Sequence, residues 1–458
     1  MQKFALELSL AIHKAGGSVF YTGGHVRNLL LGIPSTDIDI EVFNLSAEKL
    51  EAVLETFGEV NYVGKQYGVY KVKDIDVSLP RLDEQTGEGH RDLTARIREE
   101  LPLSLAAVRR DLTMNAIYLD PLTGKFEDPF NGIPDLRILR IKHVNVGTFM
   151  EDPLRILRVA RFKAIYPFMN IEAQTMALCK VHGPIKVKAL PQERVFNEVV
   201  RVLMNAPLPS VFFKTLEAMD ILDVLFPELV ATKKIEQGST YHPEGSVYNH
   251  TLMAIDAIPV IDRELDIMLA LLFHDLGKGL VPNEVNTEDS GKIHFKGHAE
   301  ETSLAEKAIA RLTNEIGLTE SAINLIKHHM RPYDFKKAGV SRKAVRKLAA
   351  SVDMYKLVKL HKADRLGRGG VVAAEYEPEN SARISEVMRV FEEIKSQVTP
   401  IILGRDLIDM GMEPGKHFGA ILQRLYEDQM EEKFLTREDG LLYTKTLIEK
   451  GEIKNATA

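Results

Sequence analysis

The chain has one cysteine, no long uninterrupted apolar run and no surplus of positive charge. Each lack removes a class of protein. With Cys179 alone no intrachain disulfide can form, so the fold must rest on packed cores and suits a reducing interior. Charges interrupt every apolar stretch well short of the ~20 residues that a membrane-spanning helix needs. The opening run "MQKFALELSLAIHKAGG" sets Glu7 in the middle of an amphipathic helical pattern. It has neither the apolar core nor the small-residue cleavage site of a signal peptide. A cytoplasmic protein is expected. Lys and Arg number 59 against 65 Asp and Glu, a formal charge of −6. That excludes a globally basic nucleic-acid binder but not a local basic face. Two basic runs, "SRKAVRKLAA" from Ser341 and "KLVKLHKADRLGRGG" from Lys356, read by themselves as solvated helix faces.

What is present divides in two. The 458 residues suggest roughly three domains on length alone. Over residues 1–140, "SVFYTGG", "TDIDIEVF", "GVYKVKDIDVSL" and "NAIYLDP" are short β-type runs. The stretch Glu84–Ser104 has no clear apolar period and reads as a mobile loop, and "DPLTGKFEDPFNG" supplies turns that close the sheet domain. Beyond about Asn145 the strands stop. "EDPLRILRVARFKAIY", "PQERVFNEVVRVLM" and "SVFFKTLEAMDILDVLF" repeat apolar residues at helical spacing. The expected architecture is a small α/β head, a mixed sheet with helices, followed by an elongated all-α body.

The stretch "YTGGHVRNLLLGIPSTDIDIEVF" from Tyr21 carries the densest chemistry. Alternate residues of a strand share a face, so Asp37, Asp39 and Glu41 are expected on one side and Ile38, Ile40 and Val42 on the other. Close carboxylates repel unless a cation lies between them, and hard oxygen donors suit Mg²⁺. Gly23 and Gly24 fall where a strand turns into a helix near His25 or Val26. Glycines there let backbone N–H groups approach phosphate oxygens at a helix N-terminus. Alone, an Asp-x-Asp strand is more often an acidic edge strand than a metal site.

Four motifs in order change that balance: "GGHVRNLLLG…DIDIEVF", "RRDLTMNAIYLDP" from Arg109, "EDPLRILRVARF" from Glu151 and "ERVFNE" from Glu193. The series resembles the tRNA nucleotidyltransferase and bacterial poly(A) polymerase family over residues 1–235. The resemblance implies a nucleotidyltransferase head with catalytic metals on Asp37 and Asp39 and a triphosphate at Gly23, Gly24 and Arg27. It implies nucleotide contacts from Arg109, Arg110, Asp111 and Asn115. It makes Asp152 and Arg155 a protein template reading the Watson–Crick edge of CTP or ATP, with Arg158 and Arg161 on the same helix lining the nucleotide site. Asp152 before Pro153 is also a good helix cap, and Glu151 and Arg155 are spaced to pair. The family's usual Asp after Val-Arg is Asn28 here. Asp76 is a candidate third carboxylate, with Asp74 on its strand face.

A second series runs through "TYHPEGSVYNHTLMAID", "LLFHDLGKG", "FKGHAEE", "IKHHMRP" and "HKADRLGRG". A lone histidine in a helix is usually a core residue; five separated clusters are harder to place so. Their order resembles the HD family of metal-dependent phosphohydrolases. That implies a divalent metal held by His250, His274, Asp275 and Asp364. His298 and one of His328 and His329 serve a second metal or the phosphate, and Lys278 contacts a phosphate.

The combination resembles bacterial CCA-adding enzymes, whose HD domains can carry phosphatase, 2′-nucleotidase and 2′,3′-cyclic phosphodiesterase activities. "PIILGRDLIDMGMEPGKHFGAILQRL" is similar to their C-terminal tRNA-supporting segment. The expected domains are a head at 1–140, a neck binding nucleotide base and RNA at 141–235, an HD domain at 236–370 and a tRNA-binding tail at 371–458. The resemblance implies addition of CCA to tRNA from CTP and ATP, with Mg²⁺ at the head and no membrane partner. Two alternatives stay open: addition of CC or A alone, and a chiefly HD phosphohydrolase with a weakened head.

Overall fold

The computed structural model describes residues 1–35, 37–64, 68–85, 93–238, 242–286, 292–338, 340–395 and 398–453. It consists of two compact units, Met1–Leu225 and Phe226–Ala458.

The first unit opens with α1 (Gln2–Lys14), which buries Ala5, Leu8 and Ile12 along one stripe as its sequence period dictates. There follow β1 (Ser18–Thr22), α2 (Gly23–Leu31), β2 (Asp39–Phe43), α3 (Ala47–Glu55), β3 (Val60–Gly64), β4 (Val69–Val72) and β5 (Ile75–Ser78). Next come β6 (Arg81–Gln85), β7 (Leu93–Ile97), α4 (Leu103–Ala107), β8 (Tyr118–Leu119), β9 (Phe126–Glu127) and α5 (Gly132–Arg137). Seven strands form one sheet in the order β3-β4-β5-β2-β1-β8-β9. Strand β2 lies at its centre, antiparallel to β1 and parallel to β5. Phe20, Phe43 and Tyr118 pack edge to face beside it.

Three expectations change here. The stretch Glu84–Ser104 is not simply a loop: β6 pairs with β7, and α4 starts at Leu103. Its residues 86–92 lie outside the described ones. The turn-rich "DPLTGKFEDPFNG" contributes the edge strand β9. Helix α2 begins at Gly23, two residues earlier than expected.

The rest of this unit is helical apart from two short strands: β10 (Arg140–Ile141), α6 (Val146–Glu151), α7 (Leu154–Ile165), β11 (Asn170–Ile171), α8 (Ala173–Lys186), α9 (Gln192–Asn205), α10 (Ser210–Ala218) and α11 (Leu222–Leu225). Helix α7 packs on both α9 and α10. The run from Ser210 does not continue as one helix, because Asp220 takes a left-handed backbone (φ 59°) and ends it.

The second unit runs α12 (Pro227–Ala231), α13 (Val247–Asp256), α14 (Leu265–Phe273), β12 (Glu284–Asn286), β13 (Lys292–His294), α15 (Ser303–Leu312) and α16 (Ile316–His328). It continues with α17 (Arg331–Ala338), α18 (Arg342–Ser351), α19 (Met354–Leu366), α20 (Gly370–Ile394), α21 (Gly404–Asp409), α22 (His417–Met430) and α23 (Arg437–Glu449). Strands thus recur beyond Asn145: β11, which pairs with the earlier β10, and the pair β12 with β13. Helix α14 is buried all round, from Asp266 to Phe273. It packs against α13, α16 and α19, which carry three of the candidate ligands.

Candidate active sites

In the first unit a cavity of about 930 Å³ opens at the β1–α2 turn. Gly23 has φ +69°, and a Cβ there would stand 3.0 Å from Asp39 Oδ2. Only glycine satisfies both conditions. Helix α2 has no side-chain cap, and the hydroxyl of Thr22 before it is buried without a partner among the described residues. The start of the helix therefore keeps polar donors for an anion.

Asp39 opens β2, and its β5 neighbour in register is Asp76. Asp37, Asp74 and Asp76 line the same cavity. Burial raises the pKa of Asp39; Arg110 pulls it back, and Asp76 and Asp37 push it up again. Three converging carboxylates with one desolvated are a donor set that fits a hard divalent cation. Glu41 does not join them. It is fully buried, accepting from Arg109 Nη2 at 2.9 Å, Arg110 Nη2 at 2.7 Å and the Tyr118 hydroxyl at 3.3 Å. Burial alone would raise its pKa, but the two arginines outweigh it and hold it down.

One hydrogen-bonded chain joins the first three motifs. Arg27 Nη1 donates to Asn115 Oδ1 at 2.7 Å, Asn115 Nδ2 to Asp111 Oδ1 at 2.9 Å, and Arg158 Nε to Asp111 Oδ2 at 2.5 Å. Asp111 stays well below the usual carboxylate range despite its burial, chiefly because of Arg158. Asn28 Oδ1 accepts from Arg27 Nε at 3.1 Å, Arg27 Nη2 at 2.9 Å and the Tyr166 hydroxyl at 2.9 Å. An amide oxygen thus meets the donors that a carboxylate would meet here. The Arg27 guanidinium also lies over the Phe162 and Tyr166 rings.

Asp152 Oδ1 accepts from the Leu154 amide at 3.1 Å, so it caps the turn into α7 as expected. Both its oxygens also meet Arg194, at 3.1 and 2.8 Å. Arg155 donates to the carbonyls of Thr148 and Arg109. Arg161 pairs with Glu198 at 2.7 Å, and burial lowers its pKa to about 10.

In the second unit, His250 (α13), His274 and Asp275 (after α14), His298 (before α15), His329 (end of α16) and Asp364 (α19) are all buried and converge. Three histidines share one device. His274, His298 and His329 each donate Nδ1–H to the carbonyl three residues earlier, Leu271 at 2.8 Å, Phe295 at 2.7 Å and Ile326 at 2.6 Å. With Nδ1 committed to a carbonyl, each ring turns Nε2 to the centre, the nitrogen that a metal ion would take. His274 Nε2 stands 3.2 Å from Asp275 Oδ2. His298 and His329 Nε2 stand 3.2 Å apart, and 3.3 and 3.7 Å from Asp275 Oδ1. Acceptors facing acceptors in a buried place fit a cation.

His250 bonds Asp364 Oδ1 through Nε2 at 2.9 Å and Glu244 Oε1 through Nδ1 at 3.0 Å. Burial pushes its pKa down, but these carboxylates outweigh it and raise it to about 9. His329, mostly through burial, falls to about 3. Lys278 Nζ contacts Asp275 Oδ2 at 2.6 Å. It shares a cavity of about 940 Å³ with Lys296, Arg331 and Arg368. His328 is half-buried and belongs to none of the ligand groups found among the described residues, so of the two adjacent histidines His329 is the central one.

Residues 19–142 match the poly A polymerase head domain, residues 168–232 the "Probable RNA and SrmB-binding site of polymerase A", and residues 247–368 the HD domain. Three successive stretches of the chain thus match three family models, the first of them a poly A polymerase head domain. This head domain is followed by an RNA-binding region and an HD domain. The chain is 36% identical to the Multifunctional CCA protein of Halorhodospira halophila over 270 residues, 58% of its own length and 63% of that protein. It thus spans less than two thirds of that relative. Its fold is that of CCA-adding enzymes. The Bacillus stearothermophilus CCA-adding enzyme in complex with CTP aligns with a TM-score of 0.64 over 98% of each chain, at 20% identity. The Thermotoga maritima CCA-adding enzyme complexed with tRNA(CCA) aligns at 0.55 over 97% of this chain and 94% of that one, at 18% identity.

Motif reading missed several partners in the head and HD domains. Arg194 and Glu198 stand in "ERVFNE", whose place beside Asp152 and Arg161 only tertiary packing reveals. Glu244, in "HPEG" six residues before His250, shows no spacing that sets it apart from a turn acid. Tyr333 and Arg368 line the HD cavity, where Arg368 Nη2 donates to the Tyr333 hydroxyl at 2.8 Å.

Proposed function

We propose that the head transfers CMP and AMP from CTP and ATP to the 3′ end of tRNA, completing CCA. The observation that carries this is the meeting of Asp37, Asp39 and Asp76 with the Gly23 turn and the Arg109–Arg110 pair in one cavity. Asp37 and Asp39 would hold the metal, with Asp76 beside them, and Mg²⁺ suits the oxygen donors. Bound there, it neutralises phosphate charge and makes the attacking hydroxyl more acidic. Gly23 and Gly24 admit the triphosphate to the amides of α2, and Arg109 and Arg110 take phosphate oxygens. The terminal 3′-hydroxyl oxygen bonds the α-phosphorus, its proton passes to water, and pyrophosphate leaves.

Selection of the base falls to Asp152 and Arg155. An ion-paired carboxylate only accepts hydrogen bonds, so Arg194 keeps Asp152 suited to the exocyclic amine of C and A and unsuited to the carbonyl of U and G. Arg27, Asp111, Asn115, Arg158 and Arg161 build the wall beside it. Residues 141–235 then serve as neck and 371–458 as a tRNA-binding tail, in a cytoplasmic setting. The test uses Mg²⁺ and tRNAs ending before CCA, after C and after CC, with CTP, ATP or both. Full CCA on the shortest tRNA is expected. Extension by CC or A alone would replace this reading with a divided one, and no extension of any tRNA would refute it.

The HD centre supports a second activity, hydrolysis of phosphorylated or cyclic-phosphate RNA ends or nucleotides. His250, His274, Asp275 and Asp364 would hold one divalent ion. His298 and His329, with the other oxygen of Asp275, would hold a second. Lys278 and Arg368 would take the phosphate. Metal-dependent phosphate release that His274→Ala abolishes is the expected result.

A further inference from the structure

Glu41 lies on the strand that carries Asp39, yet it does not line the nucleotide cavity. It stands beneath Arg109 and Arg110, fully buried, with each carboxylate oxygen taking a different guanidinium. One buried negative charge thus restrains two positive ones. The position of Arg110 gives this restraint a consequence. Its Nη1 and Asp39 Oδ2 both lie beside the point that a Cβ at Gly23 would occupy, 3.7 and 3.0 Å from it, so the two groups are close neighbours. Arg110 Nε is also buried without a partner among the described residues, so its guanidinium has donors to spare. A guanidinium forms bidentate pairs with carboxylates readily. Released from Glu41, Arg110 would have the Asp39 carboxylate within reach.

We infer that Glu41 is a positioning residue that holds Arg110 off Asp39 and so keeps the carboxylate site open for its divalent cation. The same contact ties the phosphate-facing arginines to the strand that carries Asp39. This deepens the head reading and rests on Asp37 and Asp39 being the metal carboxylates. The pattern is a buried partner tuning a metal ligand through its neighbour, a kind of change that costs metal affinity about 10–100-fold.

The experiment measures Mn²⁺ binding to the full chain by electron paramagnetic resonance. The head ions are those lost in Asp39→Asn. For Glu41→Gln the expected result is weaker binding of those ions by about 10–100-fold, with the HD-domain ions unchanged. Glu41→Asp, which keeps the charge, should fall between, and the double variant Glu41→Gln/Arg110→Gln should recover affinity toward wild type. Equal affinity in wild type and Glu41→Gln overturns the inference. A double variant as weak as the single one also does, since no guanidinium remains to intrude. If Asp39→Asn loses no ions, the head reading itself fails. Should Glu41→Gln not fold, Glu41→Asp and its Arg110→Gln combination carry the same comparison.

Discussion

At the scale of the residue, Asn28 shows that geometry decides what a motif substitution means. The family's usual aspartate is absent, but Asn28 Oδ1 still gathers both Arg27 donors and the Tyr166 hydroxyl. The head therefore needs an acceptor at this point rather than a charge. Asn28→Asp should leave incorporation within about threefold of wild type, a shift worth less than ~1 kcal/mol. Asn28→Leu removes the acceptor and leaves the buried Arg27 short of partners, at a cost of about 1–3 kcal/mol in stability. Thermal unfolding and single-nucleotide extension read the two effects separately. Equal loss of incorporation in both variants would show that the amide itself is required.

At the scale of the element, α12 is joined to α15 by one ion pair. Glu228 is buried and accepts from both Nη atoms of Arg311 at 2.6 Å. Burial alone would raise the Glu228 pKa; Arg311 reverses the sign and lowers it from 4.5. A carboxylate whose folded pKa is depressed adds stability that is fully present above its unfolded pKa. That stability is lost as pH falls through the lower, folded value. Glu228→Gln should therefore flatten the acid limb of the stability curve below about pH 4.5, and leave its slope at neutral pH unchanged. Because Arg311 is about one-third exposed, Arg311→Ala should cost only about 1–3 kcal/mol. Denaturant titrations at several pH values give both answers.

Elements also show where the sequence was readable. The strands β1, β2, β4 and β5 and the helices α7 and α9 stand where apolar periods placed them, since each buries a continuous face. Strands β6 and β7 lie in a polar stretch whose pairing comes from the partner strand, so no local period marks them. The break at Asp220 is a backbone event inside an apolar run, invisible to periodicity. The carboxylates that line the cavity of the first unit were legible as Asp-x-Asp. The destiny of Glu41, on the same strand face, was not, because it depends on two arginines 68 and 69 residues away. The converging His and Asp residues of the HD domain were legible as a series, whereas that His329 rather than His328 joins them depends on the Ile326 carbonyl that bonds its Nδ1.

At the scale of the whole molecule, two sets of converging acceptors occupy two compact units, each complete within its own unit. The carboxylate site draws its groups from β2, the segment just before it and β5, and the HD centre from α13, α19, the end of α16 and the segments around α14 and α15. No residue is shared between them, so substitutions in one should leave the other's chemistry in place, as expected for sites without common partners. Asp39→Asn should reduce nucleotide addition by at least about 100-fold, the scale of one lost electrostatic contact in a transition state, while metal-dependent phosphate release continues. His274→Ala should do the reverse. It leaves Asp275 and Asp364 facing a gap where Nε2 stood 3.2 and 3.8 Å away. Both variants belong in one experiment: extension of a tRNA ending in CC with ATP, and hydrolysis of a 2′,3′-cyclic phosphate end, followed as opening of the ring to a phosphomonoester and then as release of phosphate from that monoester. Loss of both activities in either variant would mean that the two centres act as one, for instance by trimming an end before extending it. Independent losses would establish a chain that makes a 3′-hydroxyl in one unit and consumes it in the other.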